Sequence, residues 1–96
     1  MLLDWKVDEK EELMDKIEGL VEEMDEREFY NKNVQELEKN KVDIKAALYI
    51  LKKYRERVSN LAIVGKNIII RYLNNKIEEY RLILDDIEVW LSSEEG

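Results

Sequence analysis

The stretch LAIVGKNIII, Leu61–Ile70, decides the fold of this chain because it is compatible with two different structures. It is the least polar part of a sequence in which 41% of the residues are charged. As a pair of strands, it predicts a β-hairpin with Gly65 at the first central position of a type II′ turn and Ile63 across from Ile68. As a helix, it joins the apolar pattern that follows it, and the chain becomes all-α.

The helical interpretation of this stretch is favoured. A lone two-stranded hairpin is marginally stable unless it packs on something, and both faces of this one are apolar. A helix over about residues 60–91, with Ser59 or Asn60 as its N-cap, needs only one unfavourable residue, Gly65. That glycine costs about 1 kcal/mol relative to alanine, which a close helix contact would offset. An α+β fold with a short hairpin at 61–70 remains the alternative.

Two further helices are predicted from apolar residues spaced three and four apart. The first covers about residues 8–30, and its stripe is Leu13, Met14, Ile17, Leu20, Val21 and Met24. The second covers about 33–58, and its stripe is Val34, Leu37, Lys41, Ile44, Leu48, Leu51, Arg55 and Val58. Asn33 followed by Glu36 has the form of a capping box at its start. A break of this helix at residues 39–41 is the alternative.

The third helix carries the most regular pattern. Its stripe has strict heptad spacing and consists of Ile70, Leu73, Ile77, Tyr80, Leu84, Ile87 and Leu91. Additional apolar residues beside it make the face wider than a two-stranded coiled coil needs. We therefore predict an all-α, three-helix antiparallel bundle that is completed by dimerisation. The candidate interface residues are Tyr49, Ile50, Ile69, Ile83 and Trp90.

The composition limits which kinds of functional site the chain can form. With 96 residues, the chain fits one domain, 1–96. It has neither Cys nor His, which excludes thiolate metal sites, most zinc sites and imidazole catalysis. Gly65-Lys66 does not complete a phosphate-binding loop, because Asn60 and Asn67 stand where that loop needs Gly and Ser or Thr. We expect no catalytic residue, no metal and no cofactor.

The N-terminal sequence MLLDWKVDEKEE has no apolar signal region, and no apolar run approaches the length of a membrane span. We therefore expect a cytoplasmic protein without membrane contact. The net charge is −7, unevenly distributed: −8 over residues 1–28, +6 over 29–81 and −5 over 82–96. Such segments can neutralise one another by packing, so charge alone predicts no nucleic-acid partner.

The first helix carries a column of seven acids at alternating spacings of four and three: Asp4, Asp8, Glu11, Asp15, Glu18, Glu22 and Asp25. At 3.6 residues per turn the column lies opposite the apolar stripe. A solvated face that aids solubility is the simpler interpretation. The alternative is a surface for a basic partner, or a row of carboxylates that mimics nucleic acid.

The second helix carries a basic arc, Lys41, Lys45, Lys52 and Arg55, whose side chains are candidate phosphate contacts. The favoured interpretation is that these long side chains flank the core and meet carboxylates of neighbouring helices.

Taken together, these patterns predict a non-enzymatic helical protein that forms homodimers and binds a protein partner. The alternatives are nucleic-acid binding through the basic second helix, and an acidic nucleic-acid mimic that sequesters a basic protein.

Overall fold

The computed structural model describes the backbone of residues 2–29 and 33–95 and the side chains of residues 10–29 and 33–93. It contains three α-helices: α1 (Leu2–Glu26), α2 (Val34–Ser59) and α3 (Lys66–Glu95). Within the described ranges no residue is in a β-strand. The all-α prediction is confirmed, and the alternative of a hairpin at 61–70 is wrong.

The segment Leu61–Gly65 is the loop between α2 and α3, so the prediction of a helix starting at residue 60 is also wrong. Gly65 has φ of +80°, in the left-handed region that residues with a Cβ avoid. Its carbonyl accepts the N–H groups of Ile68 and Ile69 and so closes the first turn of α3. Gly65 therefore reverses the chain instead of marking a close helix contact, and the nearest atom to an added Cβ would be Lys10 Nζ at 4.0 Å.

The start of α2 follows the predicted capping pattern. The Asn33 side chain accepts hydrogen bonds from the N–H groups of Gln35 (2.9 Å) and Glu36 (3.4 Å). From there α2 runs unbroken, so the alternative of a break at 39–41 is wrong. In contrast, α1 both begins and ends earlier than the predicted 8–30. The chain leaves the helix after Glu26 and buries the side chain of Phe29, which is 5% exposed.

The three helices alternate in direction around one apolar core. Lys10 Nζ donates to the carbonyl of Val64, and Tyr80 of α3 reaches Val21 near the other end of α1, so α1 and α3 run the same way. The core side chains are Leu13, Ile17, Val21, Met24, Phe29, Leu37, Ile44, Ala47, Leu48, Leu51, Val58, Ile69, Leu73, Ile77, Tyr80, Leu84, Ile87 and Leu91. α2 and α3 approach each other closely, whereas α1 packs on them at greater backbone distance.

The helices are staggered along the bundle axis, which is 59 Å long in Cα extent. α3 has 30 residues and accounts for about 45 Å of that length. Because Lys10 lies beside the loop residue Val64, the first turns of α1 extend past the loop. Conversely, α1 ends near the level of Tyr80, and α3 continues beyond that level.

Candidate functional site

A row of exposed apolar side chains lies on the side of α3 that faces away from the core. Ile68, Leu82 and Val89 are 73%, 51% and 62% exposed, and they are separated by 14 and 7 positions, which are multiples of a heptad. Tyr72 and Trp90, at 36% and 41% exposed, flank them on the same side. We call this surface the α3 outer face; it comprises Ile68, Arg71, Tyr72, Asn75, Glu79, Leu82, Asp86, Val89 and Trp90.

Charge changes sign along the α3 outer face and its edges. The first third of α3, residues 66–76, carries Lys66, Arg71 and Lys76 and no acid. The following residues, 77–93, carry one base, Arg81, and five acids: Glu78, Glu79, Asp85, Asp86 and Glu88. Lys76 and Lys66 are engaged within the chain, the first with the Asp25 carboxylate and the second with the Ser59 carbonyl. Arg71 is exposed and has no ion pair within the described part of the chain.

The five residues predicted as an interface do not form one surface. Tyr49, Ile50 and Trp90 are exposed, at 63%, 36% and 41%. Ile69 is only 6% exposed, because it lies on the core side of α3. Ile83 is half-buried and lines a shallow depression with Met24, Phe29 and Tyr80. Ile50 lines another depression, between α1 and α2, together with Leu20 and Ala46.

The four predicted phosphate contacts differ in their surroundings. Lys41 lines a depression that also contains the carboxylates of Glu38 and Glu88. Lys52 faces solvent beside an open groove, and Arg55 donates from Nη1 to Asn74 Oδ1 at 2.8 Å across the α2–α3 contact. We call this groove the α2–α3 groove. It has a volume of about 480 Å³ and is lined by Tyr49, Lys52, Lys53, Arg55, Glu56, Ser59 and Ile70. Lys45 is exposed on the same side of α2.

The acidic column of α1 is exposed where the side chains are described. Glu11, Asp15, Glu18 and Glu22 all face solvent. The side chains of Asp4 and Asp8 lie outside the described residues. Asp25 differs from the others because its carboxylate is bound by α3. The partner surface predicted for this column therefore stays a hypothesis that rests on the four exposed carboxylates.

Asp25 belongs to a polar network that joins α1 to α3. Tyr80 Oη donates to Asp25 Oδ1 at 2.8 Å, and Lys76 Nζ lies 2.8 Å from Asp25 Oδ2. Burial by itself would raise the pKa of Asp25, but the hydrogen bonds from Lys76 and Tyr80 outweigh it and lower that pKa. The bond to Asp25 raises the pKa of Lys76, and burial together with the Asp25 charge raises the pKa of Tyr80.

A second network joins α1 to α2 around Asn40, which is 3% exposed. Arg27 donates from Nη2 to Asn40 Oδ1 at 2.9 Å and forms an ion pair with Asp43 at 2.9 Å. Asn40 Nδ2 donates to the carbonyl of Phe29 at 3.1 Å. The Arg27 guanidinium also lies over the Phe29 ring, 5.3 Å from its centroid. Both networks fasten the end of α1, and their side chains also line two depressions at that end of the bundle.

Within the described residues, no three acidic side chains cluster closely enough to hold a metal ion. No helix there is both long enough and apolar enough to cross a bilayer. What the described surface does contain is an apolar outer face with graded charge and a basic groove, both of which are features of binding surfaces.

The comparisons with known proteins give no relative: no protein-family model, no curated protein and no solved structure matches this chain. Function must therefore be argued from the geometry of these surfaces.

Proposed function

We propose that this chain is a non-enzymatic assembly protein that forms an antiparallel homodimer through the α3 outer face. The observation that carries the proposal is the repeat of exposed apolar residues at Ile68, Leu82 and Val89, out of phase with the core stripe of the same helix. Scattered exposed apolar residues are normal, but a row at heptad multiples is the pattern of a helix with a second packing partner.

The charges on α3 favour an antiparallel partner. Residues 66–76 are basic and residues 77–93 are acidic, so a second α3 that runs the opposite way brings opposite charges together. A parallel partner would place acid against acid along most of the contact, which is unfavourable. An antiparallel pair of identical helices has a two-fold axis, and the contact therefore closes as a dimer instead of extending into a filament.

One register pairs apolar with apolar and base with acid near both ends of the contact, and it sets Leu82 against Asn75. It places Ile68 of one copy against Val89 of the other, and Arg71 against Asp86. Each contact then occurs twice, once on either side of the axis. Glu78 and Glu79 lie beside the axis, where carboxylates of both copies would meet. Within each copy Lys76 donates to Glu79 at 3.1 Å and Arg81 donates to Glu78 at 2.6 Å. These bonds lower the repulsion between the two copies.

The proposal is tested by sedimentation equilibrium across the micromolar range with charge-reversal variants. Arg71→Glu and Asp86→Arg should each weaken the dimer by roughly tenfold, because each change places two pairs of like charges in the contact. The double variant Arg71→Glu/Asp86→Arg should recover most of the lost dimer affinity. A wild-type chain that stays monomeric at high micromolar concentration contradicts the proposal.

The apolar part of the contact has a matched control. Val89→Glu buries a charge in the proposed contact and should abolish the dimer. Val42→Glu makes the same change at a side chain of similar exposure, 66%, on α2. It should leave the dimer intact, and equal effects of the two variants would argue against the α3 outer face.

A further inference from the structure

We propose that the α2–α3 groove binds single-stranded nucleic acid. The groove lies between α2 and α3 and shares no lining residue with the α3 outer face, so the two proposals concern different surfaces. Its lining combines cations with an exposed aromatic ring, which is the pairing that single-strand binding surfaces use.

The cations are concentrated at one part of α2. Lys52, Lys53 and Arg55 line the groove, and Glu56 is the only carboxylate among the described lining residues. The hydrogen bond from Arg55 Nη1 to Asn74 holds that guanidinium at the groove wall, with its other N–H groups free to meet a phosphate. Lys45 extends the basic surface by two turns and has no ion pair within the described residues.

Lys41, in the same arc, does not extend the groove. It lies near the carboxylates of Glu38 and Glu88, which lower the local positive potential. The phosphate-binding part of the arc is therefore the segment from Lys45 to Arg55. At 1.5 Å per residue this segment is about 15 Å long, enough for two or three nucleotides.

Tyr49 supplies the surface on which a base would stack. Its side chain is 63% exposed, and Lys53 Nζ lies 5.5 Å from the centroid of its ring. It follows Lys45 by four positions and precedes Lys52 by three, so the three side chains share one face of α2. A nucleobase stacked on the ring would place the neighbouring phosphates of the strand near Lys45 on one side and Lys52 on the other.

The geometry favours a single strand over the other polyanions. In a duplex the bases are stacked on one another, so their faces cannot reach a ring in a groove, whereas unpaired bases can. A bilayer surface would require several apolar side chains that enter the membrane, and the described lining of this groove offers one exposed ring, Tyr49, and the half-buried Ile70.

The proposal is tested by fluorescence anisotropy with labelled oligothymidine and oligouridine at several salt concentrations. The Lys52→Gln/Lys53→Gln variant should bind at least about tenfold more weakly at low salt, and the slope of log affinity against log salt should decrease by about 1.4, since each phosphate contact contributes about 0.7. The control Lys16→Gln/Lys39→Gln changes net charge equally at exposed lysines outside the groove, and it should bind within about twofold of wild type.

Tyr49→Ala separates stacking from charge. It should weaken binding about tenfold and leave the salt slope unchanged, because the substitution removes a stacking partner and no cation. Three results would overturn the proposal: no binding of either oligonucleotide at low salt, an equal loss in the control lysine variant, or binding of duplex DNA or anionic vesicles as tight as that of the single strands.

Discussion

The Tyr80 hydroxyl of α3 donates a 2.8 Å hydrogen bond to the Asp25 carboxylate of α1, and this bond joins two residues 55 positions apart. Tyr80 is 1% exposed, so its hydroxyl is the polar end of a core side chain. Lys76 binds the other oxygen of the same carboxylate. Because α1 packs less closely than α2 and α3 pack on each other, these polar contacts matter for keeping its end in place.

Removing the hydroxyl should destabilise the fold while leaving the ring in the core. We expect Tyr80→Phe to lower the free energy of unfolding by about 1–2 kcal/mol, since the lost bond is made to a charged group. Urea denaturation measures the change. Tyr49→Phe removes a hydroxyl from an exposed ring and should change the stability by less than about 0.5 kcal/mol. Equal losses in the two variants would show that the Asp25 bond contributes nothing specific.

The same network predicts a pH dependence at both ends of the scale. The pKa of Asp25 is lower in the folded state than its unfolded value of 3.8. Asp25 therefore stabilises the folded state above pH 3.8, and this stabilisation is lost as the pH falls through the folded pKa. The pKa values of Lys76 and Tyr80 are raised in the folded state. Both groups therefore stabilise the folded state fully below about pH 10, and this stabilisation is lost as the pH rises further.

Urea midpoints measured against pH check this dependence. Asp25→Asn should be less stable than wild type at neutral pH, and the difference between the two should narrow as the solution becomes strongly acidic. A difference that stays constant down to the lowest pH would contradict the lowered pKa of Asp25.

Alanine substitutions at Gly19 and Gly65 should change the stability in opposite directions. Gly65→Ala should cost about 1–2 kcal/mol, because alanine is strained at a φ of +80°. Gly19 lies within α1, and an added Cβ would meet nothing within 4 Å. Gly19→Ala should therefore stabilise the protein by about 0.5–1 kcal/mol. Thermal denaturation of both variants checks the signs, and stabilisation by Gly65→Ala would mean that α3 begins before Lys66.

Asn40 should be the most sensitive polar residue of α2. Asn40→Ala leaves Arg27 and the Phe29 carbonyl without their buried partner, and we expect a loss of about 1–3 kcal/mol in the free energy of unfolding. Asn67→Ala, an exposed change near the start of α3, should alter the stability by less than about 0.5 kcal/mol. A neutral Asn40→Ala would show that the second network does not fasten α1.

Much of the helical core could be predicted from spacing alone. The stripes placed Leu13, Ile17, Leu51 and Leu73 at positions that the fold buries, because one face of each helix must meet the others. The cap at Asn33 was equally predictable, since the bond from its side chain is local. The loop at 61–65 was not, because β-branched residues beside a glycine are compatible with strand, helix and loop until tertiary packing selects one.

The interaction surfaces were predictable only in part. Asn40 lies three residues after Leu37 and four before Ile44, which is the spacing of a core position. The predicted stripe contains Lys41 at this point instead, so it misses the buried Asn40. The row at Ile68, Leu82 and Val89 also has a readable period. The sequence alone does not separate this row from the core stripe of the same helix, because both are apolar. Contacts between distant side chains, such as Asp25 with Tyr80, depend on the stagger of the helices, which no local pattern specifies.

The most direct test of the central claim, an antiparallel dimer through the α3 outer face, is disulfide trapping. The chain has no Cys, so Ile68→Cys and Val89→Cys introduce single thiols at exposed positions. An equimolar mixture of the two variants, oxidised and analysed by mass spectrometry, should yield mainly the mixed disulfide, because the antiparallel register brings position 68 of one copy against position 89 of the other. Homodisulfides at position 68 that equal or exceed the mixed product, or no crosslinked product at all, would contradict the account.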